Sequence, residues 1–354
     1  MKIMYVDISI YGHHLIYLNS LLQAVSSESF SVLPEHEGQV TGRCRNISAP
    51  AIRTFSGYRK WMKELKKIAA EEHPDIIHFL DGDTIMRYFG WGISGFYPCK
   101  VVITFHHFFP GKLREISIRR MLKQAAVGVF HTDQIVNKVK AFGCHNIKCV
   151  PYPCFLKTSM LKSIGYQNDP PVLLALGGTR YEKGLDILLQ ALKSVKSPFR
   201  LLIAGGVTDF DEEYVKKAVQ SYRSCVEWDL RVLTEEEVLA YLQRADIIVL
   251  PYRRLFDGAS GPMCEGVYLG KTILGPNHGS LGELIRKYHI GYTFESENIA
   301  DLCRCLDAAL CSPFVYDEIA IKYQKSLQPE IFKKSYVEIY QQIAGKSIQR
   351  DCIV

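Results

Sequence analysis

The sequence has no long apolar run, no CxxC pair and no P-loop motif. No apolar stretch approaches the about 18 residues that span a bilayer, and Asp7 interrupts the apolar start, MKIMYVDISIYGHH, so we expect neither a membrane span nor a secretory signal. The eleven cysteines form no CxxC pair and no zinc-type Cys/His spacing. GxxxxGK[ST] is also absent, and the glycine-rich segment 177–184 does not read GxGxxG. These absences favour a cytoplasmic protein with reduced thiols.

The length and composition predict a soluble protein of two domains. At 354 residues the chain is too long for one ordinary core and fits two domains of roughly 150 residues each. Hydrophobic residues make up 47% and charged residues 23%, which is typical of globular proteins and disfavours disorder.

Positive charge is concentrated in the first half of the chain. Residues 1–150 contain 19 Lys and Arg against 12 Asp and Glu, whereas residues 151–354 contain 24 against 25. The first half should attract an anion, either membrane headgroups or a phosphate-bearing substrate, unless its basic side chains only form a solvated helix face. Nucleic acid is disfavoured because the basic runs have no interleaved aromatic residues and no known binding motif.

Short apolar runs alternate with helical patterns, which indicates βα repeats around parallel sheets. The strand candidates are residues 2–8, 75–80, 101–107 and 127–132, then 171–178, 199–206, 247–252 and 271–276. Helical patterns include residues 61–72, 184–195, 235–244, 299–310 and 330–345. We therefore predict an α/β protein with two doubly wound, Rossmann-like domains, residues 1–160 and 161–328, followed by a helix within residues 329–354.

The segment GGTRYEKG (177–184) joins a predicted strand to a predicted helix. Open parallel sheets bind ligands outside the carboxyl ends of their strands. A helix N-terminus there offers free N–H groups to phosphate, and Arg180 with Lys183 can neutralise a diphosphate. The alternative is a basic loop whose side chains lie in water.

The segment FDGASGPMCEGVYLG (256–270) is long and rich in glycine, whereas most strand-to-helix connections take about 2–6 residues. Gly258, Ser260 and Gly261 would let main-chain N–H groups approach a ligand. Asp257 and Glu265 can accept hydrogen bonds from vicinal hydroxyls of a sugar or ribose. Asp257 could equally cap a helix or a turn, whereas Glu265 lies among apolar residues and needs a partner.

The order of motifs resembles that of the GT-B glycosyltransferases, in particular family 4 of retaining enzymes, the glycosyl transferases group 1. The resemblance covers nearly the whole chain and rests on six motifs in order, which are YGHH, HPDIIHFL, VVITFHHF, GGTRYEKGLDILLQAL, EEEVLAYLQRADIIVLPYR and SGPMCEGVYLGKTILGPNHGSLGELI. It implies two domains that face each other across a cleft, with the donor on the second domain, the acceptor on the first, and a last helix that packs back on the first.

The resemblance also implies roles for the donor-binding residues. Arg180 and Lys183 match the pair that binds the donor diphosphate, and Gly12 matches the glycine loop near it. Many relatives place an arginine where this chain has Gly178, although a subset shows Arg three residues before Lys as here.

Asp257 and Glu265 match the two acids of the family's Glu-x7-Glu element. The first acid of that element faces the transferred sugar, and the second binds the ribose. Aspartate in the first position shortens the reach by one methylene and leaves the exact contact of Asp257 open.

Histidines of the first domain are the remaining candidates. His106 matches the residue that reaches the reacting sugar, and we therefore group it with Asp257 and Glu265 as catalytic. The first loop reads GHH instead of a glycine pair, so His13 or His14 could contact the acceptor or could simply be a loop residue. Asp81 and Asp83 form a DxD pattern, which we interpret as turn or capping residues, and we expect no catalytic metal.

The function implied is retaining transfer of a hexose from a nucleotide sugar, with a UDP- or GDP-sugar as co-substrate and no cofactor. The leaving phosphate is expected to act as the base, and no protein nucleophile is visible. The expected acceptor is a glycan or lipid-linked glycan of surface polysaccharide or glycolipid biosynthesis, with peripheral contact to an anionic membrane through residues 111–123. The alternatives are a catalytically silent nucleotide-sugar-binding subunit and a sugar-nucleotide epimerase of the same fold.

Overall fold

The computed structural model describes residues 1–9, 14–36, 39–48, 51–108, 111–156, 168–312 and 314–345. The chain forms two compact units, Met1–Pro151 with Pro329–Val354 and Tyr152–Gln328. The units divide after Pro151, and the predicted boundary at residues 160/161 lies outside the described residues.

The first unit contains a parallel sheet of seven strands in the order β3-β2-β1-β4-β5-β6-β7. Its strands are β1 (Ile3–Val6), β2 (Phe30–Pro34), β3 (Arg43–Ile47), β4 (Ile76–Phe79), β5 (Lys100–Phe105), β6 (Val127–Phe130) and β7 (Ile147–Cys149). The helices between them are α1 (His14–Gln23), α2 (Phe55–Glu72), α3 (Gly82–Ile85), α4 (Lys112–Gln124) and α5 (Asp133–Ala141). Because the chain runs outward from β1 in one direction and from β4 in the other, the order reverses between these two strands.

Helix α2 shows how the sequence places its apolar side against the first sheet. Its buried residues include Tyr58, Trp61, Met62 and Leu65, a spacing of three to four that puts them on one face. Thr54 caps the helix by accepting a hydrogen bond from the Gly57 N–H at 3.1 Å. The helix therefore begins six residues before the predicted residue 61.

The second unit contains a parallel sheet of six strands in the order β10-β9-β8-β11-β12-β13. Its strands are β8 (Val172–Leu176), β9 (Arg200–Ala204), β10 (Val226–Asp229), β11 (Ile247–Val249), β12 (Thr272–Pro276) and β13 (Gly291–Phe294). Its helices are α6 (Leu185–Ala191), α7 (Glu212–Ala218), α8 (Glu235–Arg244), α9 (Gly261–Tyr268), α10 (Gly279–Lys287), α11 (Ile299–Cys311) and α12 (Glu318–Ser326). Here the strand order reverses between β8 and β11.

The last helix, α13 (Pro329–Ile343), packs within the first unit. Tyr340 and Tyr336 are fully buried, and the Tyr340 hydroxyl lies 2.7 Å from His78 Nδ1. His78 Nε2 is 2.8 Å from the Thr104 hydroxyl, which is 2.9 Å from that of Tyr336. Burial lowers the pKa of His78 to about 3, so the imidazole is neutral. This buried polar chain joins α13 to β4 and β5.

The structure confirms the α/β class, the two doubly wound sheets and all eight predicted strands. Five short strands were not predicted, namely β2, β3, β7, β10 and β13. Among the described residues, no helix has the length and apolar character needed to cross a membrane.

Candidate functional site

The predicted donor residues of the second unit cluster after β8 and β11, the two strands between which the sheet order reverses. Ligands of doubly wound sheets bind in the crevice at this point. A small pocket opens there, lined by residues that include Gly177, Thr179, Lys183, Pro251 and Tyr252. The loop after β8 thus presents main-chain groups and a cation to the pocket.

The loop after β8 is braced against the loop after β9. The buried Thr179 hydroxyl accepts hydrogen bonds from the N–H groups of Thr208 and Phe210 at 2.9 and 3.3 Å. Gly205 has a φ of +136°, and a Cβ there would overlap the Gly177 carbonyl. Only glycine fits such a close approach of two backbones. Gly205 therefore helps to fix the shape of the loop after β8, the candidate for phosphate binding.

Arg253 follows the run LPY (250–252) and holds the same loop from the side of β11. Its guanidinium forms a bidentate ion pair with Asp186 at 3.0 and 2.7 Å and donates to the Tyr181 carbonyl at 2.6 Å. It also lies 3.8 Å from the centre of the Tyr181 ring. The Arg253 side chain is only 8% exposed, which makes this pair stronger than a surface ion pair.

Lys183 and Arg180 differ in their surroundings. The Lys183 side chain folds back over Gly177, so that a Cβ built at Gly177 would overlap the Lys183 Nζ. The Nζ also lies 5.8 Å from the centre of the Tyr252 ring. Arg180 is 45% exposed and forms an ion pair with Glu182 at 3.0 Å. Lys183 therefore lies in the pocket, whereas Arg180 would have to leave Glu182 to reach a diphosphate.

Glu265 lies in α9, as predicted, in the turn after Gly261. Its Oε1 is 3.8 Å from the position that a Cβ of Gly261 would occupy. Burial raises the pKa of Glu265 to about 7, while the charge of Lys183 acts in the opposite direction. Lys183 thus lies near enough for its charge to act on the Glu265 carboxyl. Ser260 caps α9 by accepting a hydrogen bond from the Met263 N–H at 3.4 Å, a structural role in addition to the proposed one.

Asp257 is buried in the loop between β11 and α9 and contacts the first turn of α10. Its Oδ1 accepts hydrogen bonds from the Ser280 N–H at 2.9 Å and the Ser280 hydroxyl at 2.7 Å. The N-cap residue of α10 is His278, so Asp257 supports this helix from another loop. Gly258 follows in the same loop, and a sugar contact by Asp257 stays a prediction.

In the first unit, the structure brings His106 and His14 together, with ring centres 6.2 Å apart. His106 follows β5, is buried, and has its Nε2 2.9 Å from the Leu80 carbonyl. Its ring also lies 5.0 Å from that of His131. A contact of His106 with the reacting sugar stays a prediction. Gly12 and His13 lie outside the described residues.

The two aspartates of the DxD pattern have separate structural roles. Asp81 is the N-cap of α3 and accepts from the Thr84 N–H at 3.1 Å, which confirms the capping prediction for this residue. Asp83 does not cap a helix but accepts from the N–H groups of His106 and His107 at 3.0 and 3.1 Å. In the part of the chain that the structure describes, no group of three or more His, Cys, Asp and Glu side chains is arranged to hold a metal ion.

Sequence reasoning missed Asp7, Thr179, Asp186 and Arg253 as members of these clusters. Asp7 follows β1, and its carboxylate lies 3.0 Å from His14 Nδ1. A charged residue inside an apolar strand pattern needs a partner, so Asp7 carried a usable signal. The partners of Arg253 and Thr179 depend on loop contacts that no local pattern reveals.

Comparison with known proteins finds a family model that matches most of the second unit. Residues 157–326 match the family model described as glycosyl transferases group 1. An uncharacterized glycosyltransferase of Methanocaldococcus jannaschii is 28% identical over 129 residues, which are 36% of this chain and 35% of that protein. The match therefore spans about a third of the curated relative.

Solved structures show the same fold over almost the entire chain. Sucrose-phosphate synthase of Thermosynechococcus elongatus has a TM-score of 0.77 at 14% identity, covering 98% of this chain and 100% of that one. Anabaena HepE in complex with UDP and glucose has a TM-score of 0.72 at 13% identity, covering 97% and 100%. Residues 157–326 are thus similar to the glycosyl transferases group 1, and the likeness to solved glycosyltransferase structures shows that the chain has the GT-B fold.

Proposed function

We propose that the chain is a retaining hexosyltransferase that uses a nucleotide sugar as donor. The observation that carries the proposal is that Lys183 lines the pocket after β8 and that its charge acts on the Glu265 carboxyl of α9, at the position where doubly wound sheets bind nucleotides. One group supplies a cation for a diphosphate and the other a carboxylate for ribose hydroxyls. The binding of UDP and glucose by Anabaena HepE supports a UDP-sugar, and a GDP-sugar is the second choice.

In the proposed reaction, charge develops on the diphosphate as the bond from its oxygen to the sugar breaks. Lys183 and Arg180 stabilise that charge together with main-chain N–H groups of residues 177–184. Glu265 binds the ribose, and Asp257, in the loop before α9, contacts the transferred sugar. His106 is the proposed contact from the first unit. The new bond forms on the face from which the diphosphate departs, so that the anomeric configuration is retained.

We propose that the acceptor is a glycan or lipid-linked glycan, bound by the first unit at an anionic membrane. Helix α4 presents Leu113 and Ile116 to solvent, 72% and 51% exposed. Basic side chains surround them, namely Lys112, Arg114, Arg119, Arg120 and Lys123. Apolar residues flanked by cations are typical of surfaces that lie on anionic lipid. On this proposal the protein is cytoplasmic and peripheral at the inner face of the membrane, and it acts in surface polysaccharide or glycolipid biosynthesis.

A nucleotide screen tests the donor site. The midpoint of thermal unfolding is measured with UDP, GDP, ADP, dTDP, CDP and their hexose conjugates. A site filled to 100 times its Kd stabilises the native state by about 2.7 kcal/mol. We expect one nucleotide series to raise the midpoint, and Glu265→Gln to weaken that nucleotide by about 10- to 100-fold, because a charge-assisted hydrogen bond contributes roughly 1.5–3 kcal/mol.

Glu318→Gln is the matched control, because Glu318 is an exposed acid of the same unit in the first turn of α12. If the nucleotide raises the unfolding midpoint equally in Glu265→Gln and Glu318→Gln, Glu265 does not take part in nucleotide binding. Absence of a shift for every nucleotide would contradict the donor proposal. Binding without any turnover would indicate a silent binding subunit. Conversion of the donor sugar without its transfer to an acceptor would indicate an epimerase.

Flotation with vesicles tests the membrane surface separately. Vesicles of phosphatidylglycerol and phosphatidylcholine are compared with phosphatidylcholine alone. Changing Lys112, Arg114, Arg119 and Arg120 to Gln should weaken anionic-vesicle binding by up to about a thousandfold, at roughly 1 kcal/mol per basic residue. The control changes four exposed lysines elsewhere in the same unit, which are Lys60, Lys63, Lys67 and Lys100. Equal losses in the two variants would mean that α4 is not the contact surface.

A further inference from the structure

A groove runs along the outer side of α4 in the first unit, beside the short 3₁₀ helix Ile93–Phe96. Its volume is about 510 Å³, which falls within the about 300–1,000 Å³ of small-molecule sites. The residues that α4 contributes recur every three or four positions, a spacing that places them on one side of the helix. The lining residues are Ser94, Ile116, Arg119, Arg120, Lys123 and Gln124. The groove is therefore formed within the first unit alone.

Hydrogen bonds fix the two walls of the groove relative to each other. Gln124 Oε1 accepts from the Ser94 N–H at 3.2 Å, and Gln124 Nε2 donates to the Arg120 carbonyl at 3.0 Å. On the opposite side of α4, the buried Ser117 hydroxyl donates to the Met86 carbonyl at 2.6 Å. The backbone of the groove is thus in place before a ligand binds, which lowers the entropic cost of binding.

The described residues that line the groove include three cations and no acid. Arg119, Arg120 and Lys123 are exposed, and none of the three forms an ion pair with a carboxylate of the described residues. Glu115 is the only acid of α4, and it does not line the groove. Like charges three and four positions apart on a helix repel each other. An anion that binds between these side chains relieves that repulsion.

The side chains of the groove indicate which anion fits. A guanidinium presents paired N–H groups that match two phosphate oxygens, and Arg119 and Arg120 are adjacent in the chain. The exposed Ser94 offers a hydroxyl donor from the other wall. A phosphate monoester has three acceptor oxygens and a charge of about −1.5 to −2 at pH 7. It therefore matches three cations better than a phosphate diester, which carries a single charge.

The same side of α4 becomes apolar toward the N-terminus of the helix. Ile116 lines the groove and is 51% exposed, and Leu113, three positions earlier, is 72% exposed. Residues at this spacing are neighbours on a helix surface. Exposed apolar side chains beside cations are typical of helices that lie in the interface of a membrane. The change of polarity along α4 therefore matches a lipid, with a phosphate over the cations and hydrocarbon over Leu113 and Ile116.

We propose that the groove binds the phosphate monoester headgroup of a membrane lipid, with Arg119, Arg120 and Lys123 as its ligands. This inference rests on the membrane contact in the proposed function and names the lipid class that the contact selects. A lipid with a terminal phosphate occupies the groove, whereas a lipid whose phosphate is a diester is held only by the general attraction of the basic surface. The protein therefore distinguishes between two anionic lipids at equal surface charge.

Flotation with two types of vesicle tests this selectivity. Phosphatidylcholine vesicles contain either phosphatidic acid, a monoester, or phosphatidylglycerol, a diester, in amounts that give the two vesicle types equal zeta potentials. We expect the wild type to bind the phosphatidic acid vesicles about tenfold more tightly, the factor for one additional charge-assisted hydrogen bond. In the groove variant, Arg119→Gln/Arg120→Gln/Lys123→Gln, this preference should disappear.

The matched control is Lys60→Gln/Lys63→Gln/Lys67→Gln, which removes the same charge from exposed lysines of α2. This variant should keep the preference for phosphatidic acid. Because all six side chains are exposed, both variants should keep the unfolding midpoint and the nucleotide-induced thermal shift of the wild type.

Isothermal titration distinguishes a lipid headgroup from free phosphate. The probes are dihexanoyl phosphatidic acid below its critical micelle concentration, dihexanoyl phosphatidylglycerol and inorganic phosphate. We expect the short-chain phosphatidic acid to bind most tightly, and its binding to be lost in the groove variant and kept in the control. If inorganic phosphate binds in the groove as tightly as the short-chain phosphatidic acid, the groove takes a free phosphate and the lipid assignment is wrong.

The outcomes separate this inference from the proposed function. Equal binding of the wild type to both vesicle types would overturn the inference and leave the proposed membrane contact in place. A preference for phosphatidic acid that survives in the groove variant would do the same. Absence of binding to both vesicle types would refute the membrane contact and the inference with it. The nucleotide screen tests the donor site independently of these results.

Discussion

The two sheets share one order for six strands, to which the first unit adds a seventh strand, but their loops at the point of strand reversal carry different side chains. In the second unit, the loops after β8 and β11 combine close backbone approaches with Lys183, and Glu265 follows in α9. In the first unit, the strand ends carry the Asp7–His14 pair, the aspartates of α3 and its cap, and His106. The first set of groups suits a diphosphate and a ribose, whereas the second is a cluster of titratable side chains.

In this fold the sheet determines where a site lies, and the residues of the loops determine what the site can bind. In the second unit the loop is shaped by backbone contacts, such as that of Gly205 with Gly177. In the first, the site depends on hydrogen bonds between side chains. The two sites should therefore fail in different ways when single residues are changed.

The largest effect is expected from Gly205→Ala. The φ of +136° disfavours any side chain, and the new Cβ would overlap the Gly177 carbonyl. We expect the second unit to lose more than about 4 kcal/mol of unfolding free energy and to lose nucleotide binding, while the first unit keeps its stability. Differential scanning calorimetry with and without nucleotide measures both effects.

The neighbouring Gly206→Ala is the control for this prediction. A Cβ at Gly206 would meet no atom closer than 3.7 Å, and this residue does not have a positive φ. Its stability should stay within about 0.5–1 kcal/mol of the wild type. If both variants have the same stability, the close approach of the two loops is not essential to the fold of the second unit.

A smaller effect is expected from Arg253→Ala. The change leaves Asp186 without its bidentate partner and releases the Tyr181 carbonyl, so the second unit should lose about 3 kcal/mol of stability. The loop that carries Lys183 then spends a smaller fraction of the time in its binding conformation. Because the apparent Kd for nucleotide rises as that fraction falls, we expect a rise on the order of tens of fold. Isothermal titration with UDP measures this rise.

Arg254→Ala tests whether the effect is specific. Arg254 is the next residue in the chain, but its side chain is 58% exposed and lies 3.8 Å from Glu295, so its loss should change stability by less than about 1 kcal/mol. Equal Kd values in Arg253→Ala and Arg254→Ala would show that Arg253 does not position the loop.

Parts of this comparison were accessible from the sequence because buried parallel strands appear as continuous apolar runs. The runs at 171–178 and 247–252 located the loops after β8 and β11, and Glu265 was recognisable as an acid in an apolar helix. The missed strands β3, β7, β10 and β13 lie at the edges of their sheets, where half-exposed residues break the pattern. β3 even carries Arg43 and Arg45, which pair with acids at the end of α2.

Long-range pairs were the part that the sequence did not reveal. Arg253 and Asp186 are 67 positions apart, and the geometry of the two loops alone brings them together. Asp7 and His14 are seven positions apart, and the resemblance drew attention only to the second of them. The same applies to Asp257, whose partner Ser280 follows the next strand, β12.

The smallest expected effect is a pH dependence that distinguishes Glu265 from the histidines of the first unit. Burial raises the pKa of Glu265 to about 7 despite the opposing charge of Lys183, so the carboxylate that would accept ribose hydroxyls is mostly ionised only above pH 7. UDP should therefore bind about tenfold more weakly at pH 6 than at pH 8, in proportion to the ionised fraction. In Glu265→Gln only the part of this difference that comes from the phosphate groups of UDP should remain, whereas Glu318→Gln should keep all of it. The phosphate groups of UDP also titrate, but equally in every variant, so the ratio of wild-type to Glu265→Gln affinity isolates the carboxyl group. Parallel pH curves for the two proteins would show that Glu265 does not titrate in the nucleotide site.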